Sequence, residues 1–170
     1  MFLKYIAPLI LCIISCTNNI DDINLAYSFD SSINQASEIE LSYFLDGRLD
    51  FKMHARNMTS SEHKTTFFNG FQLIAYDSTF KQTAILSSDI AVQDKDSDTI
   101  EVNNNVVLVN AKKEQLNADH LIWDKNSQQI YSDGFVTIKT DKQVIMGYGF
   151  VSDERFESYT LSNITGTIYI

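Results

Sequence analysis

Apolar and polar side chains alternate at every second position through most of this chain, and that period narrows the choice of fold. A strand sends successive side chains to opposite faces, whereas a helix returns to one face every three to four residues. Ile39, Leu41 and Tyr43 alternate with Glu40 and Ser42. Leu49, Phe51, Met53 and Ala55 alternate with Asp50, Lys52, His54 and Arg56. Asp46-Gly47 between them is a strong hairpin signal, because both residues tolerate positive φ. Asn57 to Thr65 is polar and reads as a loop. Phe67 and Phe68 enter another strand, Asn69-Gly70 is a turn or bulge, and Phe71, Leu73 and Ala75 alternate after it. Asn57 to Lys64 is the best helix candidate beyond the first sixteen residues, and it lacks an apolar stripe. Asn18 to Asn24 has room for one turn. The expected class is all-β, and the 12% aromatic content suits a pleated surface.

The second half repeats itself at about 30 residues. Leu116-Asn117-Ala118-Asp119-His120-Leu121-Ile122-Trp123-Asp124 aligns with Leu86 to Asp94 and with Ile145 to Asp153. Each copy ends near an Asp and runs into a polar turn: Lys95 to Asp98, Lys125 to Gln128, Glu154 to Arg155. A second strand follows, containing Ile100, Ile130 or Tyr159. An Asn or Gly turn, at Asn104, Gly134 or Asn163, is expected to close each unit. Apolar residues two apart open the next strand: Val106 and Leu108, Val136 and Ile138, Ile168 and Ile170. A unit of this size cannot bury its own apolar face, so the copies must stack. The architecture expected is an open β-jelly roll or elongated β-sandwich of antiparallel strands with an apolar interior. The sequence ends inside a strand pattern, with Ile164, Gly166, Ile168 and Ile170 on it. A terminal strand offers unpaired N–H and C=O groups, to which a partner can add a strand.

The only proline, Pro8, and both cysteines, Cys12 and Cys16, fall in the first sixteen residues. Lys4 is followed by an apolar run, Tyr5 to Ile14, of about the length of a signal h-region. A membrane span needs roughly twenty residues. Ile13-Ile14-Ser15-Cys16 has the form of a bacterial lipobox, in which diacylglycerol is joined to Cys16 and the chain is cleaved before it. The competing reading is an ordinary secretory signal with an incidental cysteine. Lone cysteines are awkward in an oxidising compartment, which favours lipidation. The organisation expected is a signal peptide over 1–15, a lipidated cysteine and polar tether over 16–24, and a β domain over 25–170.

Acidic residues outnumber basic ones 22 to 13, for a net charge of -9. That balance repels phosphate backbones and argues against a nucleic-acid partner. His54, His63 and His120 are scattered, at no zinc-site spacing, and read as surface residues. Asp94-Lys95-Asp96-Ser97-Asp98 lacks the glycine and the closing Glu of a calcium loop and reads as a hairpin turn. No phosphate loop, G-x-S-x-G or G-x-G-x-x-G motif is present. Gly147-Tyr148-Gly149 lies within a strand copy and reads as a bend or a close backbone approach. No metal or cofactor is expected, and no pair of carboxylates stands out as catalytic.

Together these features resemble the LptC family of lipopolysaccharide export, and the wider group of OstA-like β-jelly-roll repeats. Tyr27-Ser28 opens the resemblance, and the hairpin Glu40 to Gly47 leads into Ala55-Arg56-Asn57. Leu116 to Asp124 with Ile130-Tyr131-Ser132 resembles the family's central repeat. Gly147-Tyr148-Gly149-Phe150, Asp153 and Ile164-Thr165-Gly166 resemble its C-terminal signature.

The resemblance implies an open jelly roll whose interior carries lipid acyl chains and no enzymatic activity. Phe71, Leu73, Val106, Leu108, Leu121, Trp123, Val136, Ile138 and Phe150 would line that groove. It implies docking to the inner-membrane transporter subunits LptF and LptG, and delivery of lipopolysaccharide to an LptA-like bridge protein through a strand edge. A periplasmic domain held by lipid at the inner membrane of a Gram-negative bacterium follows, the choice of membrane coming from the resemblance alone. Many members have a transmembrane helix in place of the lipid on Cys16. Two other readings compete: a structural or surface lipoprotein with a closed, dry core, and a lipid chaperone or glycan enzyme.

Overall fold

The computed structural model describes residues 34–170. The signal segment, Cys16, the tether and Tyr27-Ser28 lie outside the described residues. Those described form eleven strands and no helix: β1 (Asn34–Leu45), β2 (Arg48–Ser60), β3 (Lys64–Tyr76), β4 (Gln82–Ser88), β5 (Ile90–Asp94), β6 (Thr99–Asn110), β7 (Gln115–Asp124), β8 (Gln129–Ser132), β9 (Val136–Lys139), β10 (Gln143–Asp153) and β11 (Tyr159–Tyr169). All pair antiparallel in a single sheet, so the all-β jelly-roll expectation holds. The order is a meander. β4 and β5 lie end to end between β3 and β6, and β8 and β9 lie end to end between β7 and β10.

Asp46 and Gly47 both take positive φ, at 50° and 76°, and turn β1 into β2 as expected. The polar stretch from Asn57 to Thr65 is not a loop. Its ends belong to β2 and β3, with Met58 opposite Phe67 and Ser60 opposite Thr65. The hydroxyls of Ser60 and Thr65 meet at 2.8 Å, so short polar side chains satisfy one another across the ladder. Asn104 and Asn163 are not turns either. Asn104 and Asn105, at φ 63° and 52°, sit inside β6, where the pairing with β7 shifts register. Asn163 lies in mid-β11, and Gly134 separates β8 from β9 without reversing the chain. One or two left-handed residues insert a bulge, which bends a strand while its direction persists. Asn69-Gly70 is likewise a bulge, opposite the register shift between Ala55 and Asn57.

These irregularities share one level across the sheet and form a crease. The amide of Gly70 donates to the carbonyl of Asp89, and the amide of Asp89 to that of Asn104, each at 3.0 Å. Side chains reinforce it. Asn57 Nδ2 donates to Ser37 Oγ at 3.2 Å, Asn69 Nδ2 to Asn57 Oδ1 at 2.9 Å, and Asn105 Nδ2 to Asp89 Oδ2 at 2.7 Å. Gly147 is needed here, because a Cβ would strike the carbonyl oxygen of Asn163. Gly149 supplies a left-handed φ of 69°.

Folding at the crease brings the two halves of the sheet face to face. Phe51 of β2 meets Trp123 of β7 edge-on at 5.9 Å, although β2 and β7 are not neighbours in the sheet. Leu73, Leu86, Leu108, Leu116 and Ile138 join Phe67, Val102, Leu121, Ile130 and Phe150 in one buried core. Burying each such side chain is worth about 1.5–3 kcal/mol, which holds the folded sheet closed.

The Asp that ends each repeat fastens a turn. Asp94 Oδ1 accepts the amides of Asp96 and Ser97 at 3.0 and 3.1 Å, and Asp124 Oδ1 those of Asn126 and Ser127 at 2.9 and 3.3 Å. Asp153 does the same for Arg155 and Glu157 at 3.0 and 3.1 Å. The Ser97 amide, then that of Asp96, holds the Asp94 carboxyl below its ordinary value, and the Ser127 hydroxyl, then the Ser127 and Asn126 amides, does the same at Asp124.

Candidate functional site: an apolar interior between two free edges

Eight of the nine expected groove residues are buried in one core, and the ninth, Trp123, packs against it half-buried. They come from five strands: Phe71 and Leu73 on β3, Val106 and Leu108 on β6, Leu121 and Trp123 on β7, Val136 and Ile138 on β9, Phe150 on β10. The pairing explains the convergence. Ala118 faces Val136, Leu116 faces Ile138, and Leu108 faces Leu116 across adjacent ladders, so one register serves all these strands.

At the end opposite the crease the interior opens into a narrow slot. Phe51, Leu73, Ala75, Ala84, Leu86, Leu108, Trp123 and Ile130 form its walls, and Asp50, Glu154 and Arg155 its rim. Its free space is about 30 Å³. Tyr43 stacks on Phe51 at 4.7 Å, extending the aromatic wall on to β1. The Trp123 Nε1 donor is buried without a hydrogen-bond partner, an uncompensated cost in an otherwise apolar wall. Burial pushes the Glu154 carboxyl above its ordinary value. Arg155 opposes that shift, while Asp50 and Asp153 add to it.

Among the described residues, both ends of the meander leave a strand paired on one side only: β1 and β11. On β11, Ile164, Ile168, Tyr169 and Ile170 are exposed and Gly166 is half-buried. β1 is the edge that sequence reasoning missed. Leu41, Tyr43, Phe44 and Leu45 are exposed along it. The signal was available, because the first strand of a meander always has one unpaired side.

Other polar candidates stay apart. His63 Nδ1 lies 2.9 Å from Asp96, His120 Nε2 lies 3.1 Å from Glu101, and His54 is exposed. Among the described residues, no three His, Cys, Asp or Glu side chains gather as metal ligands. Among the described residues no helix is long and apolar enough to cross a membrane, which leaves β-barrel spans unaddressed.

No curated protein shows significant sequence similarity to the chain. A family profile, described as lipopolysaccharide-assembly, LptC-related, matches it over residues 10–169. The chain belongs to the LptC family. LptC membership implies a role in lipopolysaccharide transport.

Proposed function

We propose that this LptC-family chain carries lipopolysaccharide by its acyl chains, in the interior between the two halves of the sheet. The observation that supports this most is the convergence of nine apolar side chains from five strands on one interior, flanked by two free sheet edges. Each methylene moved from water into that interior gains about 0.8 kcal/mol, so several acyl chains supply ample affinity with no cofactor. The sugar-phosphate head stays outside, which suits a chain of net charge -9.

In this reading the lipid on Cys16 tethers the domain in the periplasm at the inner membrane. Transporter subunits LptF and LptG supply lipopolysaccharide, and an LptA-like bridge protein receives it at β11 by strand addition. The reaction is transfer, not catalysis, and its energy comes from a partner ATPase.

A charged group on an interior wall tests the proposal. Val136→Asp and Phe150→Asp should abolish lipopolysaccharide loading, measured by binding to folded protein. Normal loading of either folded variant would refute it. The narrowness of the slot favours a second reading, a closed core that never admits lipid. Under that reading, the unaltered protein also fails to bind a fluorescent lipid.

A further inference from the structure

The slot is narrow: its free space of about 30 Å³ is far too small for an acyl chain. If acyl chains enter, as proposed above, something must leave. The buried apolar core residues all belong to strands, with one exception among those described: Phe156, 0% exposed, in the turn between β10 and β11. A strand residue leaves only by breaking ladder bonds to its neighbours. Phe156 has no ladder to break.

Its backbone is also held under strain. Phe156 has a φ of 56°, in the left-handed region, an outlier for a bulky side chain. Strain of this kind persists where the surroundings over-determine it, and it collects at switch segments. The turn is fastened on Asp153. Its carboxylate accepts the amides of Arg155, Glu157 and Ser158, and its carbonyl accepts the amide of Phe156 at 3.1 Å. Outside its own hairpin, the turn is latched by one buried hydrogen bond, from Asn110 Nδ2 to the Phe156 carbonyl at 2.8 Å. The ring rests against Tyr159 at 5.0 Å and Phe150 at 5.8 Å. Glu154 and Arg155 of the same turn form part of the slot rim.

We propose that the β10–β11 turn is a plug. Phe156 fills the interior of the lipid-free protein, and an entering acyl chain displaces it. The turn swings outward about Asp153 and the Asn110 latch breaks. One apolar occupant replaces another, and the left-handed strain at Phe156 is released. The mouth for lipid therefore lies beside the rim residues Glu154 and Arg155. This inference rests on the acyl-carrying reading, and the test separates the two.

Mature chain bearing a photoreactive residue at Leu121 is mixed with lipopolysaccharide micelles. Adduct formation and amide hydrogen exchange are then followed. Asn110→Asp, paired with Glu114→Gln so that the side-chain bond between 110 and 114 survives with its direction reversed, keeps the Oδ1 acceptor for the Lys112 and Glu114 amides but removes the donor to Phe156. The plug predicts adduct in the unmutated protein, with exchange at Arg155 to Ser158 faster on loading by about tenfold while the β6 and β7 ladders stay protected. It predicts that the Asn110→Asp latch variant reaches equal adduct at about two- to tenfold less lipid, the effect of one lost hydrogen bond, and that Phe156→Ala, which removes the plugging ring, also loads at less lipid than the unmutated protein. Phe156→Ala also opens a cavity, so the exchange readout on unmutated protein stands independently of it. Adduct only in the latch variants also supports the plug. Adduct with unchanged turn protection and equal loading of the variants overturns the plug and keeps the acyl-carrying reading. No adduct in unmutated protein or in any folded variant overturns both.

Discussion

Leu121→Ala should separate a packed wall from a decorated surface, and Leu41→Ala is its control. Leu121 is 0% exposed on β7 and Leu41 is 50% exposed on β1. Removing a fully buried leucine costs the lost transfer energy plus the cavity, about 2.7–5.0 kcal/mol in the lysozyme series. The close packing leaves Leu121 little room to relax, so about 3 kcal/mol is expected. With a urea slope of about 1–3 kcal/mol per molar, that lowers the unfolding midpoint by roughly 1–3 M. Leu41→Ala should move the midpoint by less than about 0.5 kcal/mol equivalent, the range of exposed substitutions. Saturating lipopolysaccharide should return part of the Leu121→Ala loss, because bound ligand stabilises the folded state and acyl methylenes fill the vacated space. Urea titrations with and without lipid, followed by circular dichroism, read all three. A Leu121→Ala cost below about 1 kcal/mol, or equal costs at both sites, would refute the packing argument.

Further outcomes follow from the edges and the turns. Thr167→Pro removes a backbone donor from the unpaired side of β11: the amide of Ile170 donates to Lys142 beside β10, and amide direction alternates along a strand, so that of Thr167 faces outward. Co-purification of an LptA-like partner should fall, with the melting temperature nearly unchanged; undiminished capture would show that β11 is not the docking edge. The lowered carboxyls of Asp77, Asp94 and Asp124 add stability that is present above their unfolded value of 3.8 and lost as pH falls through their folded values. Glu154 has the opposite sign: its raised carboxyl favours the fold below 4.5 and loses that contribution as pH rises through its folded value. Glu154→Gln should therefore stabilise the protein at neutral pH and make no difference in acid, as read from urea midpoints. A loss of stability at neutral pH would contradict this.

Alternation made the strands legible, and the repeat made the sheet legible, because both depend only on which face each side chain takes. Leu116 to Asp124 was readable as a strand for that reason. The bulges were harder. Asn104 and Asn163 carry the residue type of a turn, but whether such a residue reverses a chain or kinks it depends on neighbouring ladders. Those are long-range pairings, such as Asn103 with His120 and Gly147 with Ile164. Asn57 to Ser60 misled through polarity, since hydroxyl and amide partners across a strand substitute for apolar burial. The interior residues were visible one by one, and the pairing register supplied their convergence. Phe156 was not visible at all. It follows Glu154-Arg155 in a polar turn, and no period marks a turn residue whose ring points inward.

Site-specific photocrosslinking in cells tests the central claim most directly. A photoreactive residue at Leu121 or Val136 lies on the buried face, and one at neighbouring Thr137 replaces a side chain that is only half-buried. A lipopolysaccharide adduct is expected at Leu121 and Val136 and none at Thr137. No adduct at any interior position, in a chain shown to be folded and membrane-anchored, would contradict it and leave a closed β core.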